Sequence, residues 1–375
     1  MIQTSVTSTA HRKPHGRRLV DKVLPGDARR HNRALVLQQL FDSGPLSRAD
    51  IARATALTRV TVSELVTELL DDDIVSELGP KPGTRMGKPA TLVGLSELAP
   101  VAIALDLSGD EVMKGAIVDL RGAIVHREEI AFARGEEAVK AVITLVDSLK
   151  SSARQRVLGV GIGTPGIITA DGVVLQAPNL EWENLDLADV VEAATSLPTY
   201  VGNDANIAAV SESAFGAGDD GGLLLITIGQ GVGGGVLIDG RSLSGPLLSA
   251  GEIGHIVVEP DGARCNCGNR GCLETLLAVP HLRRLADPKD RAHVGSVLGS
   301  VLTPIVTTLG IADVVLYGPT GLLEGPLLEA TREALAKQTL PFVAQRIQVR
   351  LAPLTDELVL TGAAAQVRYR ELGVA

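Results

Sequence analysis

Aromatic side chains are scarce in this chain: four Phe, three Tyr and one Trp among 375 residues. With hydrophobic residues still at 45%, the cores must be aliphatic, and there is enough apolar material for two or three domains. Cysteine is scarcer still. Only three are present, all between positions 265 and 272, which excludes a disulfide framework and points to a reducing compartment. No uninterrupted apolar run reaches the length of a membrane span. The first thirty residues carry Arg12, Lys13, Arg17, Arg18, Lys22, Arg29 and Arg30 without the apolar stretch that a secretory leader needs. The expectation is a cytoplasmic protein with no membrane partner.

Charge is unevenly placed. Residues 1–94 hold 14 Lys and Arg against 10 Asp and Glu, a net +4, which leaves −13 for the remainder of a chain whose total is −9. A basic head on an acidic body suits a DNA-binding unit joined to a ligand-binding unit; a basic tail without a partner is the plainer alternative for residues 1–30. The head's pattern is more specific. Residues 31–42 read as a helix, broken by Gly44 and Pro45; Ser47 is suited to cap a second helix over 48–56, with Asp50 in its first turn. Thr58 caps a third, in which Val62, Leu65, Val66, Leu69 and Leu70 share one face and Arg59, Thr61 and Ser63 are left outward. Two short helices joined by a tight turn form a helix-turn-helix, whose second helix enters the major groove. A hairpin follows, with Lys81, Arg85 and Lys88 at its tip, and completes a winged head over 31–94. Arg59, Thr61, Ser63, Arg85 and Lys88 are the candidate contacts to operator DNA. A small helical unit used for protein contacts is the alternative.

The stretch from Gly251 to Glu274 holds all three cysteines, one histidine and two carboxylates. Cys265, Cys267 and Cys272 are spaced so that Gly268 and Gly271 let the sulfurs converge, and His255 supplies a fourth ligand. Thiolate and imidazole are the donors of a closed tetrahedral Zn2+ site, which would hold together a loop too polar and glycine-rich to hold itself. Three free thiols are the alternative. Glu252 and Glu274 flank these ligands, so a metal that pins the loop over 255–272 also fixes two carboxylates, the acceptor type that sugar hydroxyls need.

Together, Glu252, His255, Cys265, Cys267, Gly268, Gly271, Cys272, Leu273 and Glu274 resemble the signature of the ROK family (repressor, open reading frame, kinase). That resemblance implies an α/β actin-like (ribonuclease H-like) two-lobed sugar-kinase fold over residues 100–375, here behind an N-terminal winged helix-turn-helix domain. It also implies a sugar site containing Asn179, Asn203, Asp204, Glu252, His255 and Glu274, beside a structural zinc. The family holds both sugar kinases and sugar-responsive transcription factors. In its kinases Asp204 would be the general base, and the turn after the first strand would read D-x-G-G-T. Here that turn is Asp106, Leu107, Ser108, Gly109, Asp110, followed by Glu111. The turn around Gly229, Gly231, Gly233, Gly234 and Gly235 is compatible with phosphate, but equally with a tight hairpin. Tyr317, Gly318, Pro319 and Thr320 stand where the kinases carry a glycine pair near adenosine. The resemblance thus implies a sugar-responsive regulator, a repressor acting as homodimer or homotetramer on operator DNA, with a small sugar or sugar phosphate as effector. A sugar kinase that also binds DNA is the alternative, and a sugar-binding scaffold without a DNA role is a third.

Overall fold

A computed structural model describes residues 25–80, 90–216, 222–353 and 357–374. The head begins with α1 (Pro25–Ser43), then β1 (Leu46–Ser47), α2 (Arg48–Thr55), α3 (Arg59–Asp71), β2 (Val75–Pro80) and β3 (Thr91–Leu95). Capping fixes its helix boundaries. Ser47 Oγ accepts from the Asp50 amide at 3.2 Å, and Thr58 Oγ1 accepts from the Thr61 amide at 3.1 Å. Between them Ala56 takes a left-handed conformation (φ 56°) that makes the tight turn. Val36, Leu37, Leu40, Ile51, Val62, Leu65, Val66 and Leu69 are buried and lock the three helices together. The three strands pair in the order β1-β3-β2, which makes the expected wing. The basic hairpin tip with Lys81, Arg85 and Lys88 lies outside the described residues. Helix α1 starts six residues before the expected position, so residues 25–30, expected as part of a flexible tail, are helical. Pro25 in the first turn and Asp27 beside it suit a helix N-terminus.

The body has two sheets of similar plan. The first uses β4 (Val101–Asp106), β5 (Val112–Val118), β6 (Ile124–Ala131), β7 (Val157–Thr164) and later β11 (Thr199–Asn203), in the order β11-β7-β4-β5-β6. Strand β4 is parallel to β7 and antiparallel to β5, and all six of its residues are buried, as expected for a sheet covered on both faces. Helix α4 (Gly135–Ser152) covers one face. A side sheet of β8 (Ile167–Ile168), β9 (Val173–Ala177) and β10 (Trp182–Asp186) precedes α5 (Leu187–Thr195). Helix α6 (Asp204–Phe215) leads to the second sheet, formed by β12 (Leu223–Ile228), β13 (Val232–Ile238), β14 (Arg241–Ser242), β15 (Asp313–Tyr317) and β16 (Gln348–Leu351) in the order β14-β13-β12-β15-β16.

Between β14 and β15 come the cysteine loop, α7 (Glu274–Leu277), α8 (Val279–Leu282) and α9 (Pro288–Leu309). After β15 follow α10 (Thr320–Leu323), α11 (Pro326–Gln338) and α12 (Pro341–Ala344), and α13 (Leu358–Leu372) comes last. Helix α9 is long and apolar enough to cross a membrane, but its Val294, Leu298, Val301, Leu302 and Val306 are core residues of the second lobe, beside Leu327 and Leu335 of α11.

Helix α6 begins at Asp204, with the Asn203 side chain serving as its N-cap. Residues 274–282 form two short helical turns, with Pro280 in the first turn of α8. The glycines at 233–235 lie within β13 rather than in a turn. Both faces of β13 are crowded there: a Cβ on Gly235 would meet the Ala205 carbonyl of α6 at 2.3 Å, and one on Gly234 would meet Cδ1 of Ile253 at 2.4 Å.

Candidate functional site

His255, Cys265, Cys267 and Cys272 come together, with one ligand atom from each lying within 4.8 Å of the others. Nδ1 of His255 is 3.6 Å from Sγ of Cys265, and the sulfurs of Cys267 and Cys272 are also 3.6 Å apart. A tetrahedron with metal–sulfur bonds of about 2.3 Å has edges of about 3.8 Å, so the cluster has the size of a metal site. The loop's shape depends on backbone pairing. Val257 bridges to Cys272 and Arg264 to Arg270, while Gly271 (φ 66°) lies so close to Glu259 that a Cβ would overlap its carbonyl. Burial pushes the Cys265 thiol up to about 12 and raises that of Cys272, so a dication would be needed to draw thiolates from them. These four residues could hold a metal ion.

Glu274 ties this loop to the glycine turn. One oxygen accepts from the Val232 amide at 3.0 Å and the other faces Cys265 Sγ at 3.4 Å. Gly231 leaves room for this carboxylate, since a Cβ there would stand 2.7 Å from Oε2 and push the Glu274 side chain aside. Glu252 Oε2 lies 3.7 Å from Nε2 of His255, so the imidazole presents one nitrogen to the sulfurs and the other to a carboxylate. Burial raises the Glu252 carboxyl, and Glu274 adds to the effect through charge while His255 opposes it.

Asp204 heads α6 and meets this group from the other side. Burial, helped by the nearby charges of Asp106 and Glu252, pushes its carboxyl up to about 6. Asp106, at the end of β4, is also raised by burial; it accepts from the Ser108 hydroxyl at 2.6 Å and the Ser108 amide at 2.9 Å. Acids from both lobes therefore influence one another electrostatically, Asp106 and Asp204 from one side and Glu252 and Glu274 from the other. Such a group accepts hydrogen bonds from a polyol. The sequence reading missed Asp106 as part of it, because position 106 was read only as the opening of a phosphate turn.

Two expected sugar contacts are placed differently. Asn203 spends both ends of its side chain on structure, accepting from the Asn206 amide and donating to the Gly166 carbonyl, each at 3.1 Å. Asn179 is exposed in a 3-10 turn, Pro178–Leu180, and no hydrogen bond ties it to the carboxylates.

In the head, Arg59 and Ser63 are exposed on the outward face of α3, and Thr61 is half-buried with its hydroxyl 2.9 Å from that of Thr58. Val60, 68% exposed, shares that end of the helix and was not anticipated from the sequence. An apolar residue exposed at the first turn of such a helix is the signal that could have found it. Arg85 and Lys88 lie outside the described residues.

This geometry agrees with comparison to known proteins. Residues 102–296 match the sequence profile of the ROK family, and the chain belongs to that family. It is similar to a putative xylose repressor of Caldicellulosiruptor sp. (strain Rt8B.4), 29% identical over 380 residues, covering 90% of this chain and 95% of the relative. It is also similar to a glucokinase of Halalkalibacterium halodurans, 30% identical, covering 72% of this chain and 95% of the relative. Among solved structures, a ROK family transcriptional regulator described as a homolog of the E. coli Mlc protein superposes with a TM-score of 0.80 over 92% of this chain and 98% of its own, at 23% identity, which establishes the shared fold. The actin-like two-lobed fold expected from the sequence is thus the fold of the chain.

Proposed function

We propose that this protein is a sugar-responsive DNA-binding transcriptional regulator, a repressor, in which a sugar or sugar phosphate held between the two lobes alters how paired heads sit on operator DNA. The observation that carries the reading is the joining of a capped helix-turn-helix and wing (residues 31–94) to a sugar-type body (residues 100–375). The repressor relative matches across 90% of the chain, whereas the glucokinase leaves about a quarter of it unmatched. Arg59, Thr61, Ser63 and Val60 on α3, with Arg85 and Lys88 of the wing, would touch DNA. A homodimer or homotetramer fits, because two-fold proteins read paired half-sites. The cluster of His255 and three cysteines would hold zinc, whose chemistry here is structural: it would fix the loop that presents Glu252 and Glu274.

Phosphoryl transfer is not part of the proposed function. Asp204 could take a proton from a sugar hydroxyl, but the turn that should receive phosphate is closed on itself, with Ser108 donating twice to Asp106. Asp110 and Glu111 follow it. At about 5 Å and an effective dielectric near 20, each uncompensated like-charge pair costs roughly 3 kcal/mol, and stabilising phosphate charge is nearly all of such catalysis. The deciding experiment is selection of operator fragments from a genomic library, repeated with a sugar panel. Sugar-dependent change in operator affinity is expected. Failure to select any operator, together with sugar-dependent ADP release at about 1 per second or faster, would replace this reading with that of a kinase.

A further inference from the structure

The head meets the body at a buried arginine. Arg368, on the last helical turns of α13, is 4% exposed, and its guanidinium carbon lies 4.9 Å from the ring centroids of both Phe41 and Phe215. Phe41 belongs to head helix α1 and Phe215 is the last residue of α6. Nη1 donates to the Leu120 carbonyl at 2.8 Å, in the turn between β5 and β6, while Nε has no hydrogen-bond partner among the described residues. Buried charge is normally paired with an opposite charge. Here the charge of Asp42, next to Phe41 on α1, acts on the guanidinium together with the two ring faces, and burial still lowers it to about 10. The Phe215 ring also rests against Gly122, where a Cβ would come within 2.8 Å, so it cannot retreat on that side.

The two helices that meet at this arginine are fixed to different lobes. Helix α6 is fastened to the second sheet: Gly235 lets β13 lie against the Ala205 carbonyl, and buried Glu212 accepts from Arg350 at 2.6 Å, which also grips Asp313 at 2.7 Å. Helix α13 is fastened to the first sheet, since a Cβ on Gly161 would meet the Ala363 carbonyl at 2.2 Å. The helices cross each other where Gly362 lies on the Ile207 carbonyl, with Ser211 and Thr361 hydroxyls 2.6 Å apart. Rotation of one lobe against the other would pivot at that crossing. Arg368 stands six residues, about 9 Å, further along α13, and Asp204 lies on the opposite side of the crossing, three residues before Ile207. A cleft of about 410 Å³ beside the arginine, lined by Leu40, Phe41, Pro45, Leu78, Arg121 and Phe215, leaves room for the head to shift.

We infer that Arg368 is the positioning residue that carries sugar occupancy to the head: lobe rotation at the Gly362–Ile207 crossing shifts the guanidinium between Phe215 and Phe41, and Phe41 moves α1 with it. The inference rests on the regulator reading, and its test separates the two. Operator Kd is measured with and without saturating D-xylose or D-glucose, and hydrogen exchange of α1 is followed in DNA-free protein, for the full chain, Arg368→Gln and Phe41→Leu. Sugar is expected to change α1 exchange in the native chain. In Arg368→Gln the sugar still binds within threefold of its native affinity, α1 no longer responds, and the ratio of operator Kd values collapses to about 1, as reciprocal coupling requires. Phe41→Leu, which keeps the arginine, is expected to lose most of the coupling and decides the matter if Arg368→Gln does not fold. Absence of operator binding in the native chain would sink the regulator reading, while the exchange measurement still judges the coupling. A folded Arg368→Gln or Phe41→Leu variant with native coupling overturns the inference.

Discussion

The loop from Gly251 to Glu274 and the turn from β4 to β5 carry the same family resemblance, yet they are built in opposite ways. In the loop the key residues are tied to one another or to the next strand: Glu274 to Val232 of β13, His255 to Cys265 and Glu252, and Gly271 to the backbone of Glu259. In the turn, Ser108 satisfies Asp106 locally, and the next side chains, Asp110 and Glu111, are exposed acids. One region is organised to present acceptors at fixed positions, while the other offers no fixed donors to an anion. On the proposed reading, the difference separates binding a polyol from phosphorylating it.

The sharpest way to break this contrast is to dismantle the loop. Cys265→Ser or Cys272→Ser removes one of four ligands, with metal-binding free energy on the order of 10 kcal/mol at stake for a structural zinc site. The expected outcome is loss of bound zinc by elemental analysis and loss of sugar binding by calorimetry, while α1–α3 stay folded and still bind DNA. Zinc at full stoichiometry in both variants would refute the site.

The next effect belongs to Asp204 and depends on pH. Its carboxyl is raised from 3.8 to about 6 in the folded chain. Between these values the folded state binds more protons than the unfolded state, so stability falls as pH rises through this window, and above about 6 the full penalty of a buried charge is present. Asp204→Asn should therefore stabilise the protein at pH 8 by up to about 3 kcal/mol and by much less at pH 4. Thermal melts at the two pH values measure this. An equal shift at both would mean that the carboxylate is not penalised by burial. Sugar affinity of the native chain should rise from pH 5 to pH 7, as the ionised acceptor forms.

Much of this could be read in the sequence wherever a local rule and the fold agree. Ser47 and Thr58 cap the helices as their types predict, and three cysteines with one histidine converge as their spacing predicts. What could not be read depends on contacts between distant segments. Gly233–Gly235 look like a loop because the close approach of α6 on one face and of Ile253 on the other is invisible along the chain. The hydrogen bond from Asn203 to the Gly166 carbonyl, 37 residues away, is equally hidden along the chain. Arg368 carries no motif at all, and only the meeting of α1, α6 and α13 gives it a role.

Glu274→Ala sharpens the comparison more gently than the cysteine changes. It strands the Val232 amide, at a cost of roughly 1–3 kcal/mol, and should weaken metal by about 10–100-fold through Cys265. Chelator titration followed by calorimetry with sugar reads both, with operator affinity in the absence of sugar unchanged. Unchanged metal and sugar affinity would show that the loop and the glycine turn are independent.

The smallest effect is expected at the first turn of α3, where the body's chemistry plays no part. Arg59→Ala should cost roughly 1–3 kcal/mol in operator affinity if the guanidinium reaches a base edge, and the loss should concentrate on one base-pair position. If it reaches only phosphate, the loss is uniform across sequences and the salt dependence becomes shallower by about one counterion. Val60, exposed beside it with no core to serve, is suited to a thymine methyl group. Val60→Ala removes two carbons from that contact, worth up to about 1.6 kcal/mol on the ordinary scale for buried carbon. The loss should vanish on an operator in which uracil replaces the contacted thymine, because the partner methyl is then already gone. A loss that persists on the uracil operator would place Val60 against the sugar–phosphate backbone and leave sequence reading on this face to Arg59 and Ser63.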